Sequence, residues 1–305
     1  KALLIAWQYD IEEYFNIYFV YMSQLFDLIL VEELSELQRY KNYGFNPVAF
    51  NHGYSLKYKM EPEAHRDIDV AFVGRMDRHG RKGLLSALEN NGYKVAFYGT
   101  GTANGFISTE KMMKIYSKSK IILNLTSIST VVPHFARNKT INSLLSQVKG
   151  RIIEGALSGA LVLTNPAVSL TTYGENHESY VVFNSRDELI QQVDHYLKND
   201  QARLKIARSG FECALSIGTH NAQLKYLESL IRDLQKKEIK TLYLDPTYHK
   251  FISRAIVDTY MRQLFKFQKP DFTLLTGKKI SYLMFALFRS IFYYPYFFMT
   301  VKIKK

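Results

Sequence analysis

The chain predicts a parallel, doubly wound α/β sheet, on three observations. Short apolar runs of strand length recur, amphipathic segments of helix length separate them, and Val, Ile and Leu dominate the runs. Strands covered by helices on both faces read as continuous apolar runs, whereas a half-exposed sheet alternates. Taken in order, the spacing predicts a strand over 70–73, a helix over 83–90 and a strand over 94–98. A helix over 109–117 and a strand over 121–125 follow, then a helix over 150–157 and strands over 161–164 and 180–183. Helices over 186–197 and 201–214 complete the unit, which is bounded at 67–235 as a Rossmann-like ligand-binding domain.

Residues 1–66 read as the C-terminal portion of another domain. An aromatic helix comes first, then an apolar strand over 26–32, a helix over 35–43 with Ser35 as its N-cap, and a short strand over 47–51. A polar connector over 55–67 leads into the larger unit. One strand–helix–strand unit is small for a Rossmann half, and the chain opens on Lys1, so the expectation is that this domain begins upstream. Residues 236–305 form a third region, a helical tail rich in basic and aromatic residues. It follows an amphipathic helix over 224–240 and includes a second over 251–267.

Composition narrows the function classes. The 305 residues carry a net charge of +12, unevenly placed. From residue 236 onward there are 14 Lys and Arg against 4 Asp and Glu, while residues 1–235 carry 26 against 24. A nucleic-acid binder of this fold would carry its basicity on the body, so no nucleic-acid partner is expected. A basic tail suits an anionic membrane surface instead. The lone Cys213 excludes an internal disulfide and a cysteine-based zinc site, as in a reducing compartment. Among the motifs that would announce other chemistry, GxxxxGK[ST], HExxH and GxSxG are absent, and GTGTANG at 99–105 has Asn104 where a dinucleotide fingerprint needs glycine.

Two segments place cations where strands pass into helices. In VGRMDRHGRKG at 73–83, Gly74 ends a strand and Arg75, Arg78, Arg81 and Lys82 crowd the following turn. Glycine permits close backbone approach, and the cations can neutralise a diphosphate leaving group; a solvated basic turn is the alternative. In QVKGRIIEGALSGALVLTN at 147–165, Lys149 and Arg151 open a helix and Glu154 lies one turn inside it. The cations suit a phosphate at a sheet's carboxyl edge. Glu154 suits ribose hydroxyls, or alternatively only complements the helix dipole. Small residues Gly155, Ala156, Ser158, Gly159 and Ala160 would let the helix pack closely against whatever binds. Glu175 and Glu178 in the 172–178 loop are either sugar contacts or solubilising loop residues, and Asn124 at a strand end is a weaker candidate. A nucleotide-sugar would satisfy the cations and the carboxylate together.

These residues resemble a known superfamily. GR and KG at Gly74, Arg75, Lys82 and Gly83 resemble the donor-diphosphate loop of group 1 glycosyltransferases, GT-B enzymes of the family 4 type. QVKGRIIEGALSGALVLTN, followed by YVVFNSRDELIQQVDHYLKNDQARLKIARSG, is similar to the CgeB-like branch over about residues 65–230. The resemblance implies a GT-B fold and transfer of a sugar, a hexose by expectation, from a nucleotide-diphosphate donor. By position it implies that Arg75, Lys82 and Arg151 are the catalytic cations. Lys149 and Glu154 would hold the donor with them, and Gly74, Arg81, Asn124, Glu175 and Glu178, read from the residues themselves, complete the candidate donor contacts. It also implies no metal, and no cofactor beyond the nucleotide-sugar co-substrate. The acceptor would be a glycan or a lipid-linked molecule. Two features depart from the pattern. Ser146 stands eight residues before Glu154, where family 4 enzymes place a glutamate, and the gap from Arg75 to Lys82 is wide enough that Arg81 could take the lysine's place.

Residues 280–301 contain one charge, Arg289, and one proline, Pro295, with lysines at both flanks. Length alone would let them span a bilayer, but the charge and the aromatics fit a segment lying among headgroups, or one packed back on the protein. The expected location is cytoplasmic, peripheral on a membrane through 278–305. The competing function is a non-catalytic glycosyltransferase-like module that docks on a membrane or a partner.

Overall fold

A computed structural model describes residues 3–9, 15, 19, 23, 26–76, 80–127 and 146–236. The helix expected over 251–267 and the tail over 278–305 lie outside the described residues.

Two parallel sheets organise what is described. The first joins β1 (Ile5–Gln8), β2 (Leu28–Val31) and β3 (Pro47–Ala49) in that order, with α1 (Leu34–Asn42) between β2 and β3. Residues 5–8, for which the sequence predicts no strand, form one in register with β2, Ile5 opposite Leu28. The N-cap of α1 is Glu33 rather than Ser35, and no side chain caps it.

The second sheet contains β4 (Ile68–Val73), β5 (Val95–Tyr98), β6 (Ser119–Asn124), β7 (Leu161–Thr164) and β8 (Val181–Val182), in the order β5-β4-β6-β7-β8. The connections run through α2 (Arg81–Asn90), α3 (Thr109–Ser117) and α4 (Arg151–Leu157), with α5 (Arg186–Lys198) and α6 (Asp200–Ile217) after β8. Side chains alternate between two apolar faces. Val70, Phe72, Ile121, Leu123 and Leu163 pack under Leu85 and Leu88 of α2 and Leu189 and Val193 of α5. On the opposite face Ala71 and Ile122 meet Met113 and Tyr116 of α3, and Val162 meets Ile153 and Ala156 of α4. A β-carbon on Gly155 would lie 3.0 Å from Val162 and 3.3 Å from Ile122. The small residues of α4 thus serve close helix–sheet packing, not close approach to a ligand.

The chain order reverses between β4 and β6: β5 is laid on one side of β4, and the chain then crosses to the other. In open parallel sheets that reversal opens a crevice at the strands' carboxyl ends.

The last described helix, α7 (His220–Gln235), returns to the first sheet. Leu227, Leu230 and Leu234 cover Leu28, Leu30 and Phe50, and Tyr226 stacks on Phe50 at 6.0 Å. The two crossings between the sheets run side by side: Tyr54 N donates to Gly218 O at 2.8 Å and His220 N to Tyr54 O at 3.2 Å.

Candidate functional site

The crevice is built from the turns after β4 and β6. Gly99 follows β5 with φ +115°, and a β-carbon there would stand 2.1 Å from Gly74 O, so only glycine lets the two strand ends meet. Gly74 is also closely held: its β-carbon would lie 2.8 Å from Nη1 of Arg151.

Two guanidiniums converge on these strand ends. Arg151 Nη1 donates to Val73 O at 3.1 Å and Nη2 to Leu125 O at 3.2 Å. Arg81 Nη2 donates to the same Leu125 O and to Ser127 O, both at 2.8 Å, and its Nη1 reaches Arg75 O at 3.0 Å. Both stack on Phe72, at 5.1 Å for Arg151 and 5.8 Å for Arg81. The two cations thus share one carbonyl and one ring. Both charges therefore sit at the carboxyl ends of β4 and β6, where the crevice opens.

Glu154 lies one turn along α4 from Arg151. Burial raises its carboxyl above the ordinary value, and Arg151 pulls it back. Asn124, fully buried at the end of β6, donates from Nδ2 to Thr164 Oγ1 at 3.0 Å, while its Oδ1 is buried with no hydrogen-bond partner. Arg75 and Lys82 are exposed at the crevice mouth. Lys149 hydrogen-bonds Gln147 just before α4. The structure therefore gathers Gly74, Arg81, Asn124 and Arg151 at adjoining strand ends, with Glu154 close by and the Arg75 backbone included. It does not gather Glu175 and Glu178. They are exposed on the turn feeding the amino end of β8, whereas the cluster occupies carboxyl ends.

Several residues facing this crevice escaped sequence reasoning. Glu33, buried after β2, accepts from Val148 N at 2.7 Å and from the Ser169 hydroxyl at 2.6 Å. Ser169 in turn accepts from Leu34 N at 2.8 Å, so one buried carboxylate ties the first sheet to the loops beside α4 and after β7. The Tyr54 hydroxyl lies against the Gly150 backbone, and its pKa is pushed far up by burial and by the charges of Glu154 and Glu32. The available signal was the EE pair at 32–33 directly after an apolar strand, the place where a parallel sheet presents polar groups.

Glu33, Glu36 and Glu154 share one electrostatic trait: burial raises each carboxyl above its ordinary 4.5. Between 4.5 and the raised values the folded chain binds more protons than the unfolded one, so stability should rise as pH falls from neutral toward that window. Melting temperature measured across that range should show this slope, and Glu33→Gln should flatten it. A Glu33→Gln slope equal to wild type would show that this carboxyl is not shifted. Among the described residues no group of three His, Cys, Asp or Glu is gathered as a metal site, and no helix is long and apolar enough to cross a membrane.

Known proteins share this fold. Residues 78–229 match the family model described as glycosyl transferase-like. Sucrose-phosphate synthase from Thermosynechococcus elongatus superposes with a TM-score of 0.55 at 14% identity, over 71% of this chain and 60% of that one. Anabaena Alr3699/HepE in complex with UDP and glucose gives 0.56 at 13% identity, over 75% and 72%. TarM of S. aureus, in a complex that includes UDP, gives 0.51 at 14% identity, over 72% and 45%. The chain thus spans well under two thirds of two of these three proteins. No curated protein matches the sequence. The two parallel sheets therefore have the GT-B fold, and residues 78–229 are similar to the glycosyl transferase-like family.

Proposed function

We propose that this chain transfers a sugar, a hexose, from a nucleotide-diphosphate donor to a hydroxyl of a glycan or lipid-linked acceptor, without a metal. The observation that carries this reading is the meeting of Arg81 and Arg151 on Leu125 O at the point where strand order reverses. Cations fixed there need no reorganisation when charge develops on a departing diphosphate, which is the condition for electrostatic catalysis. In this reading Arg75 and Lys82 close over the diphosphate from the mouth and Lys149 adds charge beside α4. Glu154 and the unpartnered Asn124 Oδ1 accept hydrogen bonds from the nucleoside. Resemblance to the CgeB-like branch, a family 4 type assignment and membrane contact through 278–305 on the cytoplasmic side belong to the same proposal. UDP bound in two of the similar structures supports a uridine donor.

The test is binding of UDP, GDP and ADP by calorimetry and thermal shift, with EDTA present. One nucleotide should stabilise the protein by about 2.7 kcal/mol at a hundred times its Kd. Arg75→Ala and Lys82→Ala, both exposed, should keep the wild-type melting temperature and lower transfer by about 100-fold. No stabilisation by any of the three would overturn the donor site. Binding without transfer would leave the docking-module reading.

A further inference from the structure

Both crossings between the sheets press on the first turn of α4. At Gly53 a β-carbon would stand 2.7 Å from Cα of His220, so the crossings run backbone against backbone there. The next residue, Tyr54, is bonded through its own backbone to Gly218 and His220, and its ring packs beside Ile152 and Ile153 of α4. A β-carbon on Gly150 would collide with the Tyr54 hydroxyl oxygen and stand 3.0 Å from Cζ and 3.2 Å from Cε1. Gly150 has φ −47° and ψ −23°, which any residue adopts, so its backbone does not call for glycine. The Tyr54 side chain does. From the other crossing, a β-carbon on Gly218 would stand 2.7 Å from both Cδ1 and Cγ2 of Ile153, one turn further along. Just ahead of the turn, Val148 N is the amide that Glu33 accepts at 2.7 Å. The junction between the sheets thereby grips residues 148–153 at three points, and that segment carries Arg151.

We propose that Tyr54 is a positioning residue for donor binding: its hydroxyl sets the seat of Gly150, and so the reach of Arg151 and Glu154 into the crevice. The proposal rests on the donor reading above and adds to it the contact that holds α4 in place. Arg151 follows Gly150 directly. Its bonds to Val73 O and Leu125 O, at 3.1 and 3.2 Å, lie at the upper end of the ordinary range. A shift of about 1 Å at Gly150 would carry both beyond that range. Misplacement on that scale costs about 100-fold in a preorganised site. Tyr54 acts through Gly150 and not on the donor itself. Because the same residue is bonded to Gly218 and His220, nucleotide bound beside α4 and the order of the crossing are linked, each favouring the other.

The test is a double-mutant cycle of Tyr54→Phe and Gly150→Ala on the whole chain, read by melting temperature and by calorimetric titration with UDP, GDP and ADP. In the wild-type background Gly150→Ala should lower the melting temperature by about 4–8 °C. It should weaken whichever nucleotide binds best by about 100-fold. In the Tyr54→Phe background the hydroxyl is gone, and the ring has only a few tenths of an ångström to yield. There the same alanine should cost no more than about 2 °C and about fivefold in affinity. Whatever alanine costs at the start of a helix is common to both backgrounds, so the difference isolates the contact. Equal costs in the two backgrounds overturn the contact. A melting temperature that recovers while binding stays about 100-fold weak overturns the positioning role, since the hydroxyl would then seat α4 without placing its cation. Nucleotide should also slow amide exchange at Tyr54 and His220 in the wild type, and far less in Tyr54→Phe. Exchange there that is indifferent to nucleotide overturns the link to the crossing. A wild-type chain that binds none of the three nucleotides overturns the donor reading, and the positioning role falls with it, while the melting-temperature cycle still reports the contact.

Discussion

Arg151→Ala should destabilise the protein by about 3–5 kcal/mol and abolish nucleotide binding. The guanidinium serves three partners at once: the carbonyls of Val73 and Leu125 and the face of Phe72. Truncation takes this donor from Val73 O, a loss of about 1–3 kcal/mol, and leaves Leu125 O to Arg81 alone. It also removes the cation that lowers the pKa of buried Glu154, so that carboxyl would rise further and be held protonated more readily. Urea denaturation with an unchanged m-value is the measurement. Arg151→Lys should recover less than half, because one ammonium cannot reach two carbonyls on different strands with a planar fork's geometry. Arg151→Ala combined with Glu154→Gln should be less destabilised than the sum of the single variants, by about 0.5–3 kcal/mol. Strict additivity would show that the two residues do not share an electrostatic environment. Wild-type stability in Arg151→Ala would mean that the strand ends hold together without it, and the crevice described here would lose its central cation.

Much of the second sheet was legible because apolar runs form the middles of its strands and amphipathic segments of helix length separate them. Residues 70–73, 161–164 and 186–197 were placed to within two residues at either end, since Val, Ile and Leu at those spacings fit no other element. The first sheet was harder. β1 is IAWQ, four residues with a half-exposed tryptophan, and its strand identity comes from pairing with β2 rather than from its own pattern. Ser35 looked like a cap because serine precedes an amphipathic run, but the chain enters α1 one residue earlier with Glu33 committed elsewhere.

The site was half legible. Cations at two strand–helix junctions could be read as meeting at one edge of a sheet, and they do. Their hydrogen bonds to carbonyls could not be read, because Arg151 and Val73 are 78 residues apart in sequence. Nor could the Glu33–Ser169 bond, which spans 136 residues, or the seating of Gly150 against Tyr54. Loop acidity at Glu175 and Glu178 carried no directional information, and topology alone sets those residues at the other edge of the sheet.

Arg66 is the residue that sequence reasoning passed over most completely, lying in what read as a charged connector, and its removal should cost at least as much stability as that of Arg151. Its Nη1 donates to the carbonyls of Tyr116, Ser117 and Ser119 at 3.3, 3.1 and 3.0 Å. Its Nη2 donates to Glu61 O at 3.2 Å and Ser158 O at 2.7 Å. One side chain thereby closes the end of α3, the start of β6 and the end of α4 against the segment that enters β4. Burial pushes its pKa down to about 10, which still leaves it charged at neutral pH. Arg66→Ala should cost about 4–5 kcal/mol, in the range reached only by breaking a buried network. Arg66→Lys should recover little: an ammonium buried there has fewer donors and a greater tendency to lose its proton. Because Ser158 O ends the helix that carries Arg151 and Glu154, amide exchange in α4 should accelerate in Arg66→Lys more than in α5, which Arg66 does not touch. Equal acceleration in both helices would show that Arg66 stabilises the domain as a whole and does not fix α4 in particular.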